Sequence, residues 1–152
     1  MRFLDSFKKG PTGFFTLEVR ERKSGKLIER FKEKNLIVIG SQPTHAALLG
    51  GNVTNNSVTK MGFGTNGTTP IFGNTTLTGQ YQNAIVAATY PLSNQVSFQF
   101  QLGNTDPGAD GMAISEFGLF TTAGILYARK VRATPLNFNS DISLTGSWII
   151  SF

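Results

Sequence analysis

Few residues of this chain have the types and spacing that site chemistry requires. Gly62-Phe63-Gly64-Thr65-Asn66-Gly67 satisfies the pattern G-x-G-x-x-G. A dinucleotide site also needs a helix that starts inside the pattern, and an acidic residue about twenty positions on to hold the ribose. Thr68-Thr69-Pro70 follows instead, and no Asp or Glu occurs between Glu33 and Asp106. These glycines are therefore read as tight-turn glycines. His45 is the single histidine, with no Cys, Asp or Glu nearby in sequence to complete a metal set or a catalytic triad; it reads as a surface or cap residue. Asp106 and Asp110, with Asn104 and Thr105, offer the oxygen ligands that calcium takes. They have neither the spacing nor the carboxylate number of an EF-hand loop, and the reading is a solvated turn around Pro107-Gly108. Glu116 is the one acid inside a dense apolar run. An acid buried there needs a cation, and Arg129 or Lys130 on the next run is in place to supply it. Glu116 and Arg129 are taken as a structural ion pair. No second carboxylate stands in a fixed relation to Glu116 for acid–base work, so no catalytic residue, cofactor or metal is assigned.

The elements that would position these residues are strands. The cleanest alternation puts Val96, Phe98, Phe100 and Leu102 on one face and Gln95, Ser97, Gln99 and Gln101 on the other. The aromatics share their face with Val and Leu, which marks core packing, not a stacking platform for nucleic acid. Residues 113–152 split into three strand-like runs. In the last, Ile142, Leu144, Gly146, Trp148, Ile150 and Phe152 fall on one side, so Phe152 is expected to face the core and pin the end of the chain into the sheet. Residues 13–33 read as a hairpin turning at Lys23-Ser24-Gly25-Lys26, with 35–40 continuing extended. Residues 58–63 and 80–90 read as further strands, the latter half-buried on both faces.

One helix is expected, over 41–49. Ser41 is its N-cap, Pro43 lies in its first turn and Gly50-Gly51 is its stop, and it plugs one end of the sheet layers. Seven or eight strands separated by turn signals describe an all-β fold: an antiparallel β-sandwich or jelly-roll-like barrel over residues 13–152, with one short helix and an N-terminal arm over 1–12.

Composition narrows the classes further. Gly, Thr, Asn and Ser are abundant, charged residues are 15% of the chain, and there is no cysteine for a disulfide framework or thiolate metal site. No stretch resembles a signal peptide or a membrane span, so a protein made in a cytoplasm and free of membrane partners is expected. The Asn-x-Ser/Thr triplets at Asn52, Asn55, Asn66 and Asn74 are accordingly read as loop composition. The net charge of +5 resides in residues 1–35, with ten Lys/Arg against five Asp/Glu; from Leu36 onward there are four of each. Acids interleave with the bases in that segment (Glu18, Glu21, Glu29, Glu33), which argues against nucleic acid as a partner. In the arm, Phe3, Leu4 and Phe7 are apolar contacts and Lys8-Lys9-Gly10-Pro11 breaks any continuation. Phe3, Leu4, Phe7, Lys8 and Lys9 form the candidate partner-binding set, on the argument that so short a segment orders only against a neighbouring molecule; the alternative is a terminus folded back on its own domain.

The block Glu116-Phe117-Gly118-Leu119-Phe120, followed by a Gly turn and Leu126-Tyr127-Ala128-Arg129, resembles the sheet core of small tailed-bacteriophage virion proteins of the tail-collar and tail-fibre attachment kind. Residues 60–70 (KMGFGTNGTTP), with Thr76-Leu77, resemble the segment that precedes that block in such proteins. The resemblance spans about residues 58–152, and its motifs mark turns and core positions. It implies a non-enzymatic virion structural protein of the tail, collar or baseplate, assembled in a bacterial host cytoplasm. Other virion proteins would be its partners and a homo-trimer its state. The chain lacks the long shaft and receptor-binding tip of a fibre. That leaves a capsid decoration protein clamping adjacent shell subunits as the alternative. A carbohydrate-binding β-sandwich is the third reading, opposed by a scarcity of solvent-side aromatics and paired carboxylates.

Overall fold

The computed structural model describes residues 10–152. The arm residues Phe3, Leu4, Phe7, Lys8 and Lys9 lie outside the described residues. The elements run β1 (Thr12–Glu21), β2 (Leu27–Ile37), α1 (Ser41–Leu49), β3 (Val58–Gly64), β4 (Tyr81–Ala84), β5 (Ala87–Thr89), β6 (Gln95–Leu102), β7 (Ala113–Thr121), β8 (Leu126–Asn137) and β9 (Ile142–Ser151), with a short 3-10 turn at Pro107–Ala109. The fold is all-β with one short helix. Among the described residues nine antiparallel strands form a curled sheet in the order β4-β3-β7-β8-β2-β1-β9-β6-β5.

The curl makes two facing halves, and β2 is the strand that passes between them. Residues 27–35 pair with β1, whereas only Leu36 and Ile37 pair with β8, opposite Arg129 and Ala128. Where β2 and β8 diverge, side chains bridge the fork. Arg132 Nη2 donates to Glu29 at 3.1 Å, and Lys130 binds Glu33 and the Lys34 carbonyl. Both cations also lie over the Phe31 ring, at 5.4 and 5.7 Å.

The core sits between the halves, where the period-two alternation sends its apolar rows. Phe15 of β1 is fully buried among four rings: Phe100 of β6, Trp148 of β9, Phe31 of β2 and, across the interior, Phe117 of β7 with centroids 4.8 Å apart. Phe63 meets Phe100 across the same space at 6.4 Å. Gly146 makes this packing possible. A Cβ there would lie 2.2 Å from the Thr16 carbonyl oxygen and 2.4 Å from the Phe100 ring, so the ring occupies the place of the missing side chain. β7 is buried on both faces from Ile114 onward. Its outer side is covered by a second cluster of Val38, Leu77, Phe120 and Leu126.

Several local expectations need correction. Residues 80–90 are not one half-buried strand. The chain leaves β4 on one edge of the sheet and, after Ile85 and Val86, starts β5 on the opposite edge, so this stretch is the seam of the curl. Ile85 N–H bonds to the Thr59 carbonyl and Val86 N–H to the Gln99 carbonyl, one on each side of that seam. Residues 86–90 are exposed. Phe152 lies beyond β9 and is 62% exposed, held by mutual hydrogen bonds with Asn94. The helix bounds are as expected, but Gly40 is the N-cap. Ser41 is buried, and Thr44 Oγ1 donates to the Gly40 carbonyl at 2.8 Å. A Cβ at Gly40 would stand 2.1 Å from the Leu126 carbonyl oxygen, so close approach selects glycine at this cap.

Candidate functional site

The most heavily bonded polar centre is built on neighbouring strands. Glu116 on β7 and Arg129 on β8 are both buried, and Arg129 Nε donates to Glu116 Oε2 at 2.8 Å. Their remaining hydrogen-bonding capacity is spent on the long connection from β3 to β4. Glu116 Oε1 accepts from the backbone N–H of Asn66 (3.2 Å) and of Thr78 (2.6 Å). Arg129 donates through Nη1 to the Thr68 carbonyl and Asn74 Oδ1, and through Nη2 to the Asn66 carbonyl, each at 3.1 Å. Asn74 Oδ1 also takes the Ile71 N–H. One buried ion pair thus organises the connection on both its sides. An isolated buried charge would cost several kcal/mol, about what a pair with full hydrogen bonding can recover.

The G-x-G-x-x-G segment belongs to this centre, and its first two glycines are not turn glycines; Gly67 lies in the connection that follows β3. Gly62 and Gly64 lie within β3, and neither has a positive φ. A Cβ on Gly62 would meet the Phe120 ring at 2.5 Å, and one on Gly64 would meet Glu116 Oε1 at 2.5 Å. They are small because an aromatic ring and a carboxylate lie on them. No α-helix follows the segment in the described residues, and within the segment the Asn66 N–H is committed to Glu116 and the Thr65 N–H to the Thr78 carbonyl.

Asp106 is also not the solvated turn residue expected. It is buried and accepts from the Tyr81 hydroxyl (2.9 Å), Asn83 Nδ2 (3.2 Å) and the Gly103 N–H (2.9 Å). Burial, reinforced by the Asp106 carboxylate, pushes the Tyr81 phenol above its ordinary pKa. Asp110 is exposed on the far side of the 3-10 turn. The two carboxylates do not converge, and among the described residues no group of three or more His, Cys, Asp or Glu could hold a metal.

His45 departs furthest from expectation. Its Nε2 and the hydroxyl of buried Tyr127 form a 2.6 Å hydrogen bond, and its ring meets those of Tyr127 and Phe152 edge-on at 5.3 and 5.6 Å. The pair lines a cavity of about 260 Å³ at one end of the sandwich, together with Leu48, Tyr90, Val96 and Phe98. Tyr90 is 78% exposed at its mouth. With Phe72 and Phe152, Tyr90 also removes the supposed scarcity of solvent-side aromatics. Nothing in the sequence pointed to the contact, because 82 positions separate His45 from Tyr127.

Desolvation lowers the His45 pKa and raises that of Tyr127, so a neutral imidazole meets a neutral phenol. A base whose folded pKa is depressed contributes stability that is complete above its unfolded value and fades as pH falls. Below about 6.5 the unfolded chain takes up a proton that the folded chain resists. Melting temperatures measured from pH 8 to pH 5 are expected to fall through this window. His45→Gln should flatten that part of the profile, and an unchanged slope in the variant would show that His45 is not the titrating group.

Among the described residues no helix is long and apolar enough to cross a membrane. Comparison of the chain with protein-family models, with curated proteins and with solved structures finds no match.

Proposed function

We propose that this chain is a non-enzymatic structural subunit of a tailed-bacteriophage virion, placed at the tail, collar or baseplate. Its sandwich edges and N-terminal arm contact neighbouring virion subunits, with a homo-trimer as its own state. One observation carries the reading. The residues that bear the resemblance to tail-collar and fibre-attachment proteins (Gly62, Gly64, Asn66, Thr68, Glu116 and Arg129) meet in a single internal network. That network makes the β3–β4 connection part of the rigid body. Its donors and acceptors are consumed internally, which suits a part whose function is shape. Attachment then falls to the surface, where β4 and β5 are sheet edges and exposed apolar side chains such as Ile71, Phe72, Tyr90 and Leu92 are available for contacts between subunits.

Immunogold labelling of purified particles tests this. A few copies at one vertex are the expected result. Label spread over the shell would replace the tail assignment with a decoration protein, and absence from particles together with binding on a glycan array would replace both with a carbohydrate-binding module.

A further inference from the structure

Most of β2 has one free edge. Residues 27–35 pair with β1 on one side, and on the other only Leu36 and Ile37 reach β8, whose further pairs are with β7. One contact fixes the direction of the backbone groups along this edge. Lys130 Nζ donates to the Lys34 carbonyl from the β8 side, so Lys34 directs its backbone groups away from β1. Alternate residues of a strand share that direction. The N–H groups of Arg30 and Lys32 therefore face outward too, and among the described residues neither has a partner there. The side chains of the same residues are exposed and follow one another along the strand at about 7 Å. Arg30 is bound to Glu18, while Lys32 and Lys34 enter no ion pair among the described residues. A second observation concerns the same fork. Arg132 is 8% exposed, and its Nε and Nη2 are used by the Thr134 carbonyl and Glu29. Its Nη1 is buried with no partner among the described residues, and a buried donor calls for an acceptor.

We propose that the free edge of β2 is the docking site for an extended, acidic segment of another protein, which joins the sheet as an added strand. Backbone pairing with Arg30, Lys32 and Lys34 gives the segment its direction and register. Carboxylates at every second position then stand opposite the row of cations, and an acidic segment also brings the acceptors that Arg132 lacks. A second copy of this chain is the less suitable occupant. Two-fold pairing of β2 with itself, centred on Phe31, sets Arg30 against Lys32 and Glu29 against Glu33. Centred on Arg30 or Lys32, it sets that cation against its own copy. The lysines thus block self-association along the edge, as edge lysines do, and leave it open to a partner of opposite charge. The free edge of β8 does not compete, because it carries Pro135, which has no N–H to pair. The inference goes beyond the virion reading and does not rest on it.

The test uses the full chain at low ionic strength and a synthetic peptide of about nine residues in which Glu alternates with Thr and Val. One control peptide has Lys in place of Glu. Another keeps every Glu but has proline at two of the Thr positions, which preserves charge and abolishes strand pairing. In the free protein the amides of Arg30 and Lys32 are expected to exchange fast and those of Phe31 and Glu33 slowly. The alternating peptide should slow Arg30 and Lys32 and bind about tenfold more tightly than either control, and Lys32→Glu with Lys34→Glu should weaken it about tenfold. Both positions are exposed, so the double variant keeps the fold. Equal binding of the proline peptide, or no binding by any peptide, would overturn the proposal. So would slow exchange of Arg30 and Lys32 in the free protein, which would mean that the edge is already covered; if that protection rises with protein concentration, the occupant is a second copy. Tighter binding of a single-stranded oligothymidylate than of the alternating peptide would make the site one for nucleic acid. No particle enters the experiment, so its failure leaves the virion proposal untouched.

Discussion

Glu116→Ala is expected to destabilise the protein by about 3–5 kcal/mol, the usual cost of removing one partner of a buried ion pair. The magnitude follows from what the substitution strands. Arg129 would stay buried, with its Nε facing the space the carboxylate left, and the N–H groups of Asn66 and Thr78 would lose their acceptor. Against a typical domain stability of about 5–15 kcal/mol this is a large fraction, and for a chain of this size it lowers the melting temperature by about 10 °C. The loss has a location. Amide exchange at Asn66 and Thr78 should accelerate far more than at Leu17 or Leu144, which sit in strands remote from the pair. A loss below about 1 kcal/mol, or uniform acceleration, would mean that the ion pair does not hold the β3–β4 connection. Replacing both partners with apolar residues is expected to cost less than removing Glu116 alone, because no buried charge is then unpaired.

Phe15→Ala should cost a comparable 3–5 kcal/mol, in the range for a fully buried Phe. Its ring contacts Phe100 and Trp148 within its own half of the sheet and Phe117 in the other. The cavity it leaves cannot collapse without moving both halves together. Phe14, one residue away on the same strand, faces outward and is 42% exposed, so Phe14→Ala should cost less than about 1 kcal/mol. The single Trp148 is buried against Phe15, so its emission in guanidinium titrations follows both variants. If the two substitutions cost the same, Phe15 is not the contact that joins the halves.

Both experiments bear on how the chain encodes its fold. Period-two alternation in residues 95–102 and 142–151 was enough to identify β6 and β9 and their inward faces, because each has one face on the core and one outside. The same rule was uninformative for β7, where both faces are covered. It misled at residues 80–90, where an apolar stretch serves as the seam between two edges. The need of Glu116 for a cation was readable from its apolar surroundings, which left Arg129 and Lys130 on the next run as candidates; the structure gives the place to Arg129.

What the sequence determined by itself is therefore local: strand faces, the bounds of α1, and the demand that one buried acid be paired. Tertiary structure alone decided which backbone groups complete that pair, why Gly62 and Gly64 are glycines, and that Asp106 is buried while Phe152 is not. It alone brought His45 to Tyr127. These outcomes depend on contacts between residues up to 82 positions apart, and the order in which nine strands close is set by packing across the interior, which leaves no periodic trace along the chain.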